Sequence, residues 1–253
     1  QDDGHIFCTE DQMQKEVILF IKSLFVVYKR FQFNSILIKL STRPEKRVGS
    51  DLIWDKAEMS LILALDKLNL NYCICEGEGA FYGPKIEFTL KDNIGRLWQC
   101  GTIQVDFFIP KRLGACYINK FGMKQFPIML HRAIIGSIER FMGILLENNF
   151  LNFPLWLCPV QVIVLNITVN EINYSRNIVN ILKERDVRVI FDYKNDKVSF
   201  KIRNASIRRI PYLLIIGKNE VINNTVSVRT RNSDNLGIMG IECFIDMLKI
   251  SLH

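Results

Sequence analysis

Residues 126–147 read FPIMLHRAIIGSIERFMGILLE, and the chain is best understood outward from them. Apolar positions recur at helical spacing, which predicts a helix from residue 134. Gly136, Ser137 and Gly143 leave part of its surface nearly bare, so a neighbouring strand can come close. A glycine inside a helix costs about 1 kcal/mol relative to alanine, and that cost points to tight packing or a site. Arg140 follows Glu139 near the helix start, where a buried guanidinium needs an acidic or phosphate partner. Taken alone, these residues describe a core helix with an ordinary ion pair.

Upstream, QDDGHIFC (1–8) reads as a short strand, and Thr9 or Glu10 starts an amphipathic helix to about residue 30. A strand over 36–40, a polar connection STRPEKRVGSD (41–51) and a helix over 52–69 follow. EGEGAFYGPK (76–85) carries three glycines, but their spacing fits no phosphate loop and a strand follows instead of a helix. Strands over 85–90, 97–101 and 103–109 form an antiparallel meander, turned at Asp92, Asn93 and Gly95 and again at Gly101. Closed by a strand and helix around His131, this is an α+β arrangement built on an antiparallel sheet.

Downstream, Pro154 and Pro159 mark a linker. Strands over 160–167, 187–192 and 212–216 then alternate with helices over 171–185 and 198–208, ending in a strand over 226–230 and a helix over 241–252. That alternation predicts an α/β domain with a mixed, mostly parallel sheet. The expected domains are therefore 1–152 and 153–253.

With 49% hydrophobic residues the 253-residue chain can fill two cores. Its net charge of +7 suits a polyanionic partner without naming one. The greasy stretch 17–28 is interrupted by Lys22 and too short to span a membrane. Seven cysteines without secretory features, Cys73 and Cys75 separated by a single residue, read as reduced thiols in a cytoplasmic protein. The sequons at Asn166, Asn204 and Asn223 then carry no glycosylation meaning.

HRAIIGSIERFMGILLE (131–147) resembles motif 3 of the class II aminoacyl-tRNA synthetases. QDDGHIFCTE, LSTRPEKRVGSD, EGEGAFYGPKIEFTL, LWQCGTIQVDF, CPVQVIVLNIT and FKIRNASIRRIPYLLIIG are similar to the threonyl-tRNA synthetase family, in its order and nearly end to end. The resemblance implies part of a class II catalytic core followed by a class IIa anticodon-binding domain. It implies that ATP, arriving with Mg2+ as substrate, meets Arg140 at its triphosphate and Lys85 near the reacting phosphate. Gln99 and Gln104, on neighbouring strands either side of the turn at Gly101, would face the adenylate and its ribose, with Gln1 beside them.

Threonine poses a selection problem, because an apolar pocket rejects a shape-alike such as valine only about a hundredfold. In the family a zinc ion held by one cysteine and two histidines reads the hydroxyl. The histidines match His5 and His131, while Asp3 would take the hydroxyl hydrogen bond and Tyr82 the amino group. The family's cysteine ligand falls upstream of Gln1, as do motif 1, the opening of motif 2 and the editing domain. Cys100 is close to the site but is not a family ligand position. The chain is thus expected to be a C-terminal fragment, weak in zinc binding and incompetent alone, from a homodimeric enzyme.

In the second domain the resemblance gives Arg229 and Glu220 the anticodon base edges and adds Asn195 and Lys197 of the YKNDK turn. Phe200, Lys201, Arg203, Arg208 and Arg209 are expected to form a basic helix, with Arg229 and Arg231 at a strand end across from Glu220. The expected partners are tRNA(Thr), threonine and ATP, with neither DNA nor a membrane. Two alternatives remain at this point: another class IIa synthetase (prolyl, glycyl or histidyl), or a non-catalytic RNA-binding paralogue. The set His5, His131 and Asp3 separates the first, and the joint presence of the ATP and zinc positions opposes the second.

Overall fold

The computed structural model describes residues 1–149 and 153–252, which fall into two compact units, Gln1–Asn148 and Asn149–His253. The expected boundary at 152/153 touches a stretch outside the described residues.

The first unit is a six-stranded sheet in the order β1-β8-β5-β4-β2-β3. Its strands are β1 (Gly4–Cys8), β2 (Ile36–Ser41), β3 (Cys73–Cys75), β4 (Lys85–Lys91), β5 (Leu97–Asp106) and β8 (Ile128–Ala133). All neighbours pair antiparallel except β2 and β3. A small hairpin of β6 (Tyr117–Ile118) and β7 (Lys124–Gln125) stands apart, after the short helix α3 (Ile109–Arg112).

Strict alternation in KIEFTL decides what each face of the sheet does. Ile86, Phe88 and Leu90 are fully buried, and the Phe88 ring lies 6.3 Å from Phe20 of helix α1 (Glu10–Arg30). Gly101 of β5 admits this helix: a Cβ there would lie 2.5 Å from Leu24 and 2.8 Å from the Tyr28 hydroxyl. Helix α2 (Asp51–Lys67) packs against α1. Helix α1 starts where the T-x-x-Q pattern places it, with Thr9 N donating to Gln12 Oε1 at 3.0 Å. The intervening residues, Lys85, Glu87, Gln104 and His131, turn to the other face, where the polar side chains gather.

Two expectations are corrected here. Residues 97–106 form one strand, not two, so there is no turn at Gly101 and Gln99 and Gln104 share β5. A bulge supplies what the turn was expected to do. The register slips between Phe88 and Thr89, Gly101 facing Phe88 while Gln99 faces Thr89, so one extra β5 residue shifts the side-chain alternation. The helix of the opening stretch, α4 (Ile138–Asn148), begins at Ile138 rather than 134. Gly136 precedes it in a left-handed turn at φ +67°, and a Cβ there would sit 3.1 Å from Cys100 O.

The second unit is a five-stranded sheet in the order β10-β9-β11-β12-β13. Strands β9 (Val162–Asn166), β10 (Val189–Asp192) and β11 (Tyr212–Ile216) run parallel, while β12 (Val226–Thr230) and β13 (Asn235–Met239) add antiparallel pairings. Because β9 is buried on both sides, it reads as an unbroken apolar run. Val162 and Val164 pack with α5 (Ile172–Glu184) and α8 (Ile241–Leu252); Ile163 and Leu165 pack with α6 (Val198–Ile207). Strand β13 and the short helix α7 (Lys218–Asn223) have no counterpart in the sequence reading. Among the described residues no helix is long and apolar enough to cross a membrane, and all seven cysteines are free thiols.

Candidate functional site

An open cavity of about 530 Å³ lies over the uncovered face of the first sheet. Seven of the nine residues expected at the catalytic site line it: Gln1 and Asp3 before β1, Tyr82, Gln99 and Gln104, His131 on β8, and Arg140 on α4. The remaining two, His5 and Lys85, are next to lining residues. His5 is paired with His131 in the β1–β8 register, their ring centroids 4.8 Å apart at 77°. Lys85 is paired with Gln104 across β4–β5, and its Nζ lies 2.5 Å from Glu87 Oε1.

Buried carboxylates that the sequence reading did not single out hold these groups in place. Glu87, 7% exposed, accepts from Gln99 Nε2 at 2.7 Å and Ser41 Oγ at 3.2 Å besides pairing with Lys85. Gln99 Nε2 also reaches Thr102 Oγ1 at 3.3 Å, a contact the bulge makes possible. Tyr82 donates its hydroxyl to Gln104 Oε1 at 2.9 Å, and Gln104 donates to Gly83 O at 3.1 Å. Gly83 is required there, since a Cβ would lie 1.6 Å from Val105 O.

Asp106 faces His131, with Oδ2 3.0 Å from Nε2. Burial works to raise its pKa, but the hydrogen bonds from His131, Ile109 N and Phe108 N outweigh burial and hold the carboxyl below its usual range. Its spacing before Pro110 is that of an Asx turn, the one local signal that could have found it. The carboxylate of Asp2 accepts the amides of Ile134, Ile135 and Gly136 at 2.7, 3.0 and 2.8 Å. It thereby shapes the turn that leads into α4. Three charge-assisted bonds of this kind contribute about 1.5–3 kcal/mol each.

Arg140 is exposed at the rim, not buried, and its partner is neither acidic nor phosphate: Nη2 donates to Gln99 O at 2.5 Å. Its backbone N–H donates to Ser137 Oγ at 3.4 Å. Burial, the largest influence, pushes the thiol of Cys100 in the cavity wall up to about 11, so it stays protonated near neutrality. The donor set fits zinc in part. Two adjacent imidazoles suit two corners of a tetrahedral nitrogen and sulfur site, yet among the described residues no cluster of three His, Cys, Asp or Glu could hold a metal.

In the second unit Asn195 and Lys197 are exposed in the connection between β10 and α6. Glu220 caps its own helix, Oε2 accepting Gly217 N at 2.9 Å, and no ion pair joins it to Arg229 among the described residues. Arg229 lies on β12 with its Nε buried and unpartnered. The expected basic helix is corrected at Lys201. That side chain is 1% exposed, its Nζ donating to Asn166 O, Asn166 Oδ1 and Asp192 O at 3.0, 3.1 and 3.2 Å. Arg208 and Arg209 follow the helix end, and Phe200 and Arg203 remain on its exposed face. Arg203, Arg209 and Arg231 line a second open cavity of about 580 Å³.

Residues 1–149 match the tRNA synthetase class II core domain (G, H, P, S and T), and residues 160–250 match an anticodon binding domain. The chain belongs to the class II aminoacyl-tRNA synthetases. Over 98% of its length it is 55% identical to a threonine–tRNA ligase of Methylobacillus flagellatus, and over its full length 54% identical to one of Psychrobacter arcticus. It spans about 39% of the length of these curated relatives. Among solved structures, it matches the RNA binding domain of a threonyl-tRNA synthetase from Cryptosporidium parvum with TM-score 0.92 and 36% identity, covering 99% of this chain and 63% of that one. A prolyl-tRNA synthetase from the same organism, 16% identical with TM-score 0.68, covers 99% and 47% respectively and shares the fold.

Proposed function

We propose that this class II synthetase chain carries part of the catalytic site and the anticodon-reading domain of a threonine–tRNA ligase. The observation that carries the reading is the β1–β8 register, which sets His5 against His131 beside a cavity lined by Asp3, Tyr82, Gln104 and Arg140. In the first half-reaction a carboxylate oxygen of threonine bonds to the α-phosphorus of ATP, and the bond to the bridging oxygen breaks as pyrophosphate leaves. In the second, a hydroxyl at the 3′ end of tRNA(Thr) bonds to the threonyl carbonyl carbon, the bond from that carbon to the phosphate oxygen breaks, and AMP leaves. The protein's task in the first is to position the reactants and meet negative charge as it shifts.

Arg140 at the rim suits the triphosphate, which enters with Mg2+, and Lys85 suits the reacting phosphate. Glu87 restrains Lys85 and Gln99 on the same wall, so both are ordered before substrate arrives. Gln99, Gln104 and Gln1 offer amide contacts to the adenylate, Asp3 an acceptor for the threonine hydroxyl, and Tyr82 a contact for its amino group. His5 and His131 would hold zinc with a third ligand from outside this chain, and the ion, when bound, would supply a Lewis-acid contact to the amino and hydroxyl groups.

In the second unit, Arg229, Glu220, Asn195 and Lys197 would meet splayed anticodon bases, and the arginines of the second cavity would meet phosphates. A cytoplasmic homodimer belongs to the same proposal. The test is amino-acid-dependent ATP–pyrophosphate exchange by the gene's full product. Exchange with threonine, weaker with serine, absent with valine and proline, and lost on zinc chelation is expected. No exchange with any amino acid would favour an RNA-binding paralogue.

A further inference from the structure

Asp106 has no part in the roles assigned above, yet among the described residues it is the most deeply buried carboxylate, at 0% exposure. Its two oxygens are divided between two tasks. Oδ1 accepts Phe108 N at 2.7 Å and Ile109 N at 2.9 Å, which fixes the plane of the carboxyl group. Oδ2 then meets His131 Nε2 at 3.0 Å. An ionised carboxylate is acceptor only, so the proton of this bond belongs to the ring. A neutral imidazole with its proton on Nε2 keeps the lone pair on Nδ1.

The other neighbours do not compete for that proton. The Tyr82 hydroxyl is committed to Gln104 Oε1, and His5 meets the His131 ring edge to face. We infer that Asp106 is a positioning residue that fixes His131 in its Nε2–H form and makes Nδ1 the nitrogen available to a divalent metal ion. The use of that nitrogen rests on the zinc reading above; the choice of nitrogen does not.

Asp106→Asn tests this with little change of volume. The asparagine Oδ1 can still accept the two amides, which aims its NH2 at Nε2 as a donor and forces the ring proton to Nδ1. Only three histidines occur in the sequence, so long-range 1H–15N spectra of the imidazoles of the metal-free 253-residue chain are simple to assign. At about pH 8.5, where a free imidazole is neutral, the unaltered chain should show His131 protonated on Nε2, and the variant should show it on Nδ1. A His131 protonated on Nδ1 in the unaltered chain would overturn the inference without any variant, as would an unchanged tautomer in a folded variant.

In the gene's full product, the variant should bind zinc about 10–100-fold more weakly, the usual effect of losing such a partner. Unchanged zinc affinity would overturn the donor assignment. A full product that takes up no zinc at all, with the tautomer as inferred, would remove the zinc reading and leave the positioning of His131 by Asp106 standing.

Discussion

The two units handle charge in opposite ways. In the first, ionisable groups around the cavity are tied to one another: Lys85 and Gln99 to Glu87, His131 to Asp106, and the 134–136 amides to Asp2. In the second, Asn195, Lys197, Arg203 and Arg209, proposed above for RNA contact, stand on exposed surface, whereas Lys201 is buried and bonded to Asn166 and to Asp192 O. A site that stabilises charge moving within a small molecule gains from dipoles fixed in advance. A surface that reads splayed bases forms its contacts as the RNA arrives, and rigid pairing beforehand would compete with it.

Exchanging the apparent roles of two lysines gives the largest break. Lys201→Met should destabilise the second unit by about 1–3 kcal/mol for each carbonyl oxygen left without a donor, Asn166 O, Asn166 Oδ1 and Asp192 O being the three. Lys197→Met, on the surface, should change stability by no more than about 0.5 kcal/mol and weaken only tRNA binding. Urea unfolding of the second unit's signal checks both, and equal effects would erase the contrast.

The first unit predicts a loss of function larger than the loss of stability. Glu87→Gln keeps the shape but removes the charge that Lys85 and Gln99 share. A charge-assisted hydrogen bond of about 1.5–3 kcal/mol corresponds to a roughly 10–100-fold fall in threonine-dependent exchange by the full product. Thermal unfolding of the same variant should move by only a few degrees. A collapse of the fold with normal exchange in the surviving fraction would make Glu87 a structural residue.

The smallest effect is electrostatic and local. Burial of Asp92 opposes ionisation, but bonds from Trp98 and Arg96 bring its carboxyl down to about 2. The folded value lies below the unfolded one, so its contribution is complete above about pH 4 and is lost as pH falls through about 2. Asp92→Asn should therefore make the β4–β5 turn less protected from amide exchange at neutral pH and abolish that acid dependence.

Elements with a clear period were legible in the sequence: α1, α2, α5 and α8, and the apolar strands β9 and β11, lie within a few residues of expectation. Residues far apart in sequence, His5 and His131 above all, could be joined only through family resemblance, because strand register is a tertiary fact. The bulge in β5 was hidden, since an extra residue in a strand and a turn between two strands leave similar local patterns around a glycine. The apolar spacing continues through Gly136 as if it were helical, while Asp2, ahead of β1, holds the turn. Lys201 lies in a run of basic residues, and only the packing of α6 on its sheet distinguishes it from its neighbours.

The division of labour is tested most directly by threonine-dependent ATP–pyrophosphate exchange in the full product carrying either Arg140→Ala or Arg229→Ala. The account predicts that Arg140→Ala lowers exchange at least a hundredfold, whereas Arg229→Ala leaves it unchanged and raises only the tRNA concentration needed for charging. Exchange that survives Arg140→Ala, or falls with Arg229→Ala, would contradict it.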